Sequence, residues 1–106
     1  MKKVLTLLLL IPIFGFSQIE VKYFNAAWNE ANNIEWFDKL TDVDKEVMDI
    51  GEGDCQKKYQ IAIVPTIVIF KDGEEVKRFQ ADLSFKLLAT RKDIQEEIDE
   101  ILMSDF

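Results

Sequence analysis

The chain contains one thiol that could act as a nucleophile. Cys55 is the only cysteine among the 106 residues, and the chain contains no histidine. The thiolate is the reactive form of cysteine, and no imidazole is present to act as the base that generates it. Because Asp54 is suited to capping a short helix, we expect Cys55 in the first turn, where the helix dipole favours the thiolate and the Asp54 carboxylate opposes it. Two interpretations stay open: a small, partly buried residue, or a thiol with an intermolecular or regulatory role.

The composition argues against several classes of ligand. Zinc sites are built largely from cysteine and histidine, and here almost no such ligands exist. The acidic stretches at residues 42–44 and 49–54 lack the spacing and the distal glutamate of a calcium loop. A net charge of −7 disfavours binding to the phosphate backbone of nucleic acids and to anionic membrane surfaces. We therefore expect no metal, no cofactor and no nucleic-acid partner.

The first 17 residues have the pattern of an export signal. Lys2 and Lys3 form a basic start, residues 4–16 are largely apolar, and Gly15 and Ser17 supply the small residues of a signal-peptidase site. A membrane-spanning helix wants roughly 20 apolar residues, and this run is shorter. We expect a signal peptide at 1–17 and one periplasmic or secreted domain at 18–106, with no stable membrane insertion after cleavage. An uncleaved anchor or a buried first strand is the alternative.

The remaining sequence alternates between strand and helix patterns. Residues 19–25 alternate in polarity and are rich in β-branched and aromatic side chains, which is typical of a strand. An apolar stripe at three- and four-residue steps then predicts a helix over residues 28–40. The members of that stripe are Ala27, Ala31, Ile34, Phe37 and Leu40. A short second strand at 46–50 and a brief helix from Asp54 to Tyr59 follow.

The clearest local signal is a β-hairpin. Residues 66–70 form a continuous apolar strand, Asp72-Gly73 fits a two-residue turn, and residues 75–80 return as the partner strand.

A final helix completes the element order. Thr90 and Asp93 fit the capping-box pattern, and the helix they open carries an apolar stripe of Ile94, Ile98, Ile101 and Leu102. The order β-α-β-α-β-β-α predicts an α/β fold with a mixed four-stranded sheet flanked by helices. The first two strands should be parallel, joined by a right-handed crossover, and the last two antiparallel.

Two segments carry a resemblance to a known family. Residues 24–28 (FNAAW), at the end of the first strand, resemble the thioredoxin segment that runs into W-C-G-P-C. Residues 59–66 (YQIAIVPT), followed by a strand and a hairpin, resemble the family's Y-x-I-x-x-x-P-T run. The resemblance covers residues 19–80 and resumes in the final helix. It implies a thioredoxin-like fold, with Pro65 at the position that families of this kind hold in cis.

The departures from the family pattern determine the expected chemistry. Asn29 and Asn32 follow Trp28 at the positions of the two cysteines of C-x-x-C. Disulfide exchange needs one thiolate to attack and a second thiol to resolve the mixed disulfide, and an asparagine amide does neither. The family's buried acidic residue on the first strand aligns with Tyr23. We therefore expect that the chain is not a dithiol oxidoreductase.

The resemblance retains a surface for binding. In the family, the cis-proline loop and the start of the first helix form an apolar platform on which an extended polypeptide docks. The matching positions here are Trp28, Val64 and Pro65. The alternative is that Trp28 and Pro65 serve only the stability of the fold.

The connection at residues 81–89 is longer than its counterpart in the family. It contains four large apolar residues, and in thioredoxins this connection borders the active-site face. We expect Phe85 and Leu87 to form a lid or to extend the docking surface. An extra helical turn packed on the core is the alternative.

Three functional hypotheses follow from these patterns. The first is a redox-inactive thioredoxin-like module of the bacterial envelope, which binds an exported peptide or protein segment without covalent chemistry. The second is a monothiol thiol-disulfide oxidoreductase that uses Cys55. The third is a structural component of envelope assembly. The sequence leaves the oligomeric state open.

Overall fold

A computed structural model of the protein describes residues 18–104. The predicted signal peptide at residues 1–17 lies outside the described residues. The strands are β1 Ile19–Asn25, β2 Asp44–Asp49, β3 Thr66–Lys71 and β4 Glu74–Gln80. The α-helices are α1 Cys55–Lys58 and α2 Arg91–Met103, and two 3-10 helices span Ala27–Asn32 and Phe37–Lys39.

The four strands form one mixed sheet in the order β2-β1-β3-β4. Strand β1 pairs in parallel with β2 and antiparallel with β3, and β3 pairs antiparallel with β4. The predicted mixed four-stranded sheet is therefore confirmed. Asp72 and Gly73 have φ values of 53° and 87°, the left-handed conformation that a two-residue hairpin turn requires.

Helical segments cover both faces of the sheet because β1 and β3 are apolar on both sides. On one face, alternate residues of these strands pack with the 3-10 residue Phe37, with Leu40 and with the apolar stripe of α2. On the other face, the strand residues Phe24, Val68 and Phe70 pack with Ile61 and Val64. The partly buried Cys55, in α1, and Tyr59, directly after α1, also contact this cluster. The buried stripe of α2 consists of Ile94, Ile98 and Ile101.

The predicted helix over residues 28–40 is wrong. Two short 3-10 helices replace it, and Asn29 interrupts the first of them with non-helical dihedral angles (φ −111°, ψ 21°). Asparagine side chains compete with the backbone for hydrogen bonds and disfavour helix interiors, and this segment contains three of them. Phe37 and Leu40 are buried as the stripe predicts, whereas Ala27 and Ala31 are exposed.

The two predicted helix starts have different outcomes. Thr90 Oγ1 accepts a hydrogen bond from the Asp93 N–H at 3.2 Å, and Asp93 Oδ2 accepts one from the Thr90 N–H at 2.9 Å, so the capping box is confirmed. Asp54 occupies the N-cap position of α1 as predicted, but its side chain makes no capping bond. Within residues 18–104, no helix is long and apolar enough to cross a membrane.

Candidate functional site

The sheet topology gathers the predicted site residues at one end of the molecule. β1, β2 and β4 end there and β3 begins there, because Asn25 pairs with Asp49, and Thr66 pairs with both Phe24 and Gln80. The segments beyond these strand ends carry the predicted residues. They are Trp28, Asn29 and Asn32 after β1, Cys55 after β2, Val64 and Pro65 before β3, and Phe85 and Leu87 after β4.

An aromatic pair forms the exposed apolar surface of this end. The Trp28 side chain is 66% exposed, and its ring packs edge-to-face against Phe85, with centroids 5.2 Å apart and an interplanar angle of 89°. Leu83 and Leu88, in the same connection as Phe85, are 93% and 74% exposed. The 81–89 connection is therefore folded back against Trp28, and two of its leucines remain in solvent.

Asn29 is hydrogen-bonded to that connection. Its residue is only 5% exposed, and its Nδ2 donates to Asn25 Oδ1 at 3.1 Å and to the Phe85 carbonyl at 3.2 Å. Its Oδ1 accepts from Asn32 Nδ2 at 2.9 Å. Asn29 and Asn32, the positions of the family's two cysteines, are thus joined to each other by a hydrogen bond.

The hydrogen bonds continue from Asn25 to Tyr23. The Tyr23 hydroxyl accepts from Asn25 Nδ2 at 3.3 Å and from the Ile34 N–H at 2.9 Å, and it donates to Asn33 Oδ1. Burial raises the pKa of Tyr23 above its ordinary value, against the opposing effect of these hydrogen bonds. The network joins neutral groups, and a phenol with a raised pKa transfers no proton near neutral pH.

Asp82 holds the connection in a tight loop. Its Oδ1 accepts hydrogen bonds from Ser84 Oγ at 2.6 Å, from the Ser84 N–H at 2.9 Å and from the Lys86 N–H at 3.2 Å. These bonds, first among them that from the Ser84 side chain, lower the pKa of Asp82. Phe85 has a φ of 64°, which is uncommon outside glycine, and this conformation accompanies its contact with Trp28.

The structure corrects the predicted positions of Val64 and Pro65. The Val64–Pro65 peptide bond is cis, but Val64 is 1% exposed and Pro65 is also fully buried. Val64 packs in the core, and the Pro65 carbonyl accepts from the Ala81 N–H at 3.0 Å, at the start of the connection. These two residues therefore lie beneath the surface and offer no open platform.

Leu87 also differs from its expected role. It is partly buried and packs against the core cluster that includes α2. The predicted docking pair Phe85 and Leu87 is therefore divided, because Phe85 contacts Trp28 at the surface and Leu87 anchors the connection to the core.

Solved structures with a similar fold include several thioredoxins. A mutant thioredoxin from Halobacterium salinarum is 22% identical, with a TM-score of 0.62 over 78% of this chain and 74% of that one. Thioredoxin 1 from Thermosipho africanus is 22% identical, with a TM-score of 0.59 over 79% and 94% of the two chains. The thioredoxin of Fasciola hepatica is 27% identical, with a TM-score of 0.57 over 78% and 80%. By fold, the chain belongs to the thioredoxin-like superfamily. In sequence, it matches no protein-family model and no curated protein.

The lone thiol of this thioredoxin-like chain lies at the start of α1, on a different segment from the asparagine pair. Cys55 is half-buried, and its Sγ donates to the Asp49 carbonyl at 3.3 Å. Burial raises the pKa of Cys55, and the carboxylates of Asp49 and Glu52 raise it further. The thiol form is therefore favoured at neutral pH, which is the opposite of what nucleophilic thiol chemistry needs.

A hollow of about 350 Å³ opens beside Trp28 on the side of the β2–α1 connection. Asp49, Glu52 and Gln56 line it together with Trp28. Within residues 18–104, no group of three or more histidine, cysteine or carboxylate side chains is placed to hold a metal ion.

The sequence identifies Asn29, Asn32 and Tyr23 by position, but it does not predict the hydrogen-bonded network that supports this thioredoxin-like site. Asn25, Asn29, Asn32 and Asn33 all belong to one hydrogen-bonded chain with Tyr23. The first six residues of the predicted helix, 28–33, contain three asparagines, an unusual density for a helix and therefore a signal that the segment folds differently. The hydrogen bond from Asn29 to Phe85 joins residues 56 positions apart, so a local sequence pattern does not predict it.

Proposed function

We propose that the protein is a redox-inactive thioredoxin-like module of the bacterial envelope, which binds a segment of an exported polypeptide without covalent chemistry. The observation that carries this proposal is the exposed Trp28–Phe85 pair, whose Phe85 carbonyl accepts a hydrogen bond from Asn29, at the position where the family has a nucleophilic cysteine. Export rests on the predicted signal peptide at residues 1–17.

The hydrogen bonding of Asn29 and Asn32 supports the loss of dithiol chemistry. Both amides are engaged within the fold, and an amide supplies neither the attacking thiolate nor the resolving thiol of disulfide exchange. Cys55 does not replace them, because it lies on another segment and its pKa is raised. We therefore propose that the site has a structural and binding role.

The chemistry of the exposed side chains supports polypeptide binding. Aromatic residues, tryptophan above all, dominate the energetics of protein interfaces because they bury a large area with few rotatable bonds. Trp28, Leu83 and Leu88 are each at least 66% exposed, and Phe85 connects the tryptophan to the leucine-bearing connection. Together these four residues, which we call the Trp28 surface, offer apolar area to a partner.

The test uses an unfolded polypeptide whose thiols are blocked. Reduced and carboxymethylated α-lactalbumin is added to the ¹⁵N-labelled full chain, and the Trp28 indole N–H signal and the backbone amide signals are followed by NMR. The amide signals report binding in Trp28→Ala, which has no Trp28 indole. We expect a saturable shift that is unchanged in Cys55→Ser and a loss of binding in Trp28→Ala.

Val47→Ala is the matched control, because Val47 is also 66% exposed but lies on β2. Equal binding by the Trp28→Ala and Val47→Ala variants would contradict the proposed surface. Absence of any shift with the wild-type chain would contradict binding of unfolded polypeptides altogether.

A further inference from the structure

The hollow beside Trp28 has a distinctive set of charges. Its charged side chains are the carboxylates of Asp49 and Glu52, and its remaining polar side chain is that of Gln56. Among residues 18–104, no lysine or arginine lines it. The chain as a whole carries a net charge of −7, so the wider field also favours a positively charged occupant.

The two carboxylates are held differently. Asp49 Oδ1 accepts from the Gly51 N–H at 2.7 Å, and the Asp49 carbonyl accepts from the Glu52 N–H at 3.0 Å. These bonds fix the turn that carries both residues, and both line the hollow. The Glu52 side chain is exposed and makes no hydrogen bond or ion pair among residues 18–104, so its carboxylate is available to a ligand.

Trp28 also lines the hollow. A cation over the face of tryptophan is attracted by the ring quadrupole, and tryptophan is the best of the aromatic side chains for this interaction. The lysine–ring contacts within residues 18–104 involve Tyr59, Phe70 and Phe79. Trp28 therefore remains open to a cation supplied by another molecule.

We infer that this hollow receives an arginine side chain of the bound polypeptide, with the guanidinium between the Trp28 ring and the carboxylates of Asp49 and Glu52. A guanidinium is planar, stacks on aromatic rings, pairs with carboxylates through several N–H groups and is weakly hydrated, so it suits these walls better than an ammonium group. The inference rests on the proposed function and deepens it, because it names the kind of segment that the Trp28 surface selects.

Cys55 provides an internal reporter of this occupancy. The carboxylates that raise its pKa are Asp49 and Glu52, the same two that line the hollow. A guanidinium bound between them offsets their field at the thiol. Binding should therefore lower the pKa of Cys55, and the rate of its alkylation by iodoacetamide, followed against pH, measures that change.

The experiment compares two blocked pentapeptides that differ in one charge. Acetyl-Gly-Ala-Arg-Ala-Gly-amide is titrated into the full chain, beside the same peptide with citrulline, a neutral side chain of nearly the same shape, in place of arginine. We expect only the arginine peptide to shift the Trp28 indole signal saturably and to lower the pKa of Cys55.

Two charge-matched variants complete the test. Glu52→Gln should weaken binding of the arginine peptide by about 3-fold, the size of effect typical of a partly exposed ion pair. Glu96→Gln removes a carboxylate from the exposed face of α2 and should leave binding unchanged. Both variants change the net charge equally, so the long-range field does not distinguish them.

The outcomes separate this inference from the proposed function. Equal shifts with arginine and citrulline peptides, or equal weakening in the two variants, would overturn the arginine site while leaving polypeptide binding at Trp28 intact. Absence of a Trp28 shift with arginine peptide at about 10 mM, roughly the weakest affinity class of interest, would also overturn it. The carboxymethylated polypeptide tests the proposed function independently.

Discussion

Replacing Asn29 by alanine should destabilise the protein strongly, although the substitution removes no apolar group from the core. Asn29 is buried, and its amide makes three hydrogen bonds. Alanine makes none of them, and the three partner groups are left to find water or to remain unpaired. The size of the effect depends on how well water reaches each partner.

The magnitude follows from the exposure of the three partners. Asn25 is buried at 9% exposure, so its unpaired Oδ1 costs about 1–2 kcal/mol. The Phe85 carbonyl and Asn32 Nδ2 belong to residues that water reaches, so each lost bond costs about 0.5 kcal/mol. We expect a total of about 2–3 kcal/mol in the free energy of unfolding.

Urea unfolding followed by circular dichroism measures this change. With an m value of about 1 kcal/mol per M for a chain of this size, the midpoint should fall by about 2–3 M. Glu30→Ala is the matched control, because Glu30 neighbours Asn29 but is exposed, and its cost should stay within about 0.5 kcal/mol. Equal midpoints for the two variants would refute the view that the asparagine network stabilises the fold.

Three further predictions concern the connection and the last helix. The pKa of Asp82 is lowered in the folded state, so its stabilisation of the loop is present above the unfolded pKa and is lost as the pH falls through the folded pKa. The Trp28 indole NMR shift should therefore change over that acidic range, and Asp82→Asn should remove this transition. A transition that persists in Asp82→Asn would contradict the assignment. Phe85→Ala should weaken polypeptide binding more than it lowers stability. Leu87→Ala should lower stability more than it weakens binding, because Leu87 packs on the core. Equal losses of binding and stability in both variants would contradict these separate roles. Thr90→Ala removes the capping bond of α2 and should lower the thermal midpoint by a change worth about 1 kcal/mol, with Thr90→Ser as a control that keeps the hydroxyl.

Much of the fold is predictable from the sequence because its signals are local. The alternation of residues 19–25, the apolar run of β3 and the Asp72-Gly73 turn each specify their own structure. The capping box at Thr90 likewise acts within four residues. Elements defined by such short-range rules agree with the structure.

The candidate site is less predictable because contacts between distant segments define it. The apolar periodicity of residues 28–40 favours a helix, but asparagine side chains bind one another and a carbonyl across the fold instead. The buried state of Val64 and Pro65, and the division between Phe85 and Leu87, likewise depend on how the connection after β4 folds back. Sequence similarity identifies these positions but does not report their exposure.

Under the proposed function, a thioredoxin-like scaffold carries a hydrogen-bonded asparagine pair in place of redox chemistry. A disulfide-reduction assay on the full chain tests it directly, comparing the wild type with Cys55→Ser and with the double variant Asn29→Cys, Asn32→Cys. We expect no activity from the wild type or from Cys55→Ser, and activity from the double variant. Wild-type activity that disappears in Cys55→Ser would contradict the claim and identify a monothiol enzyme.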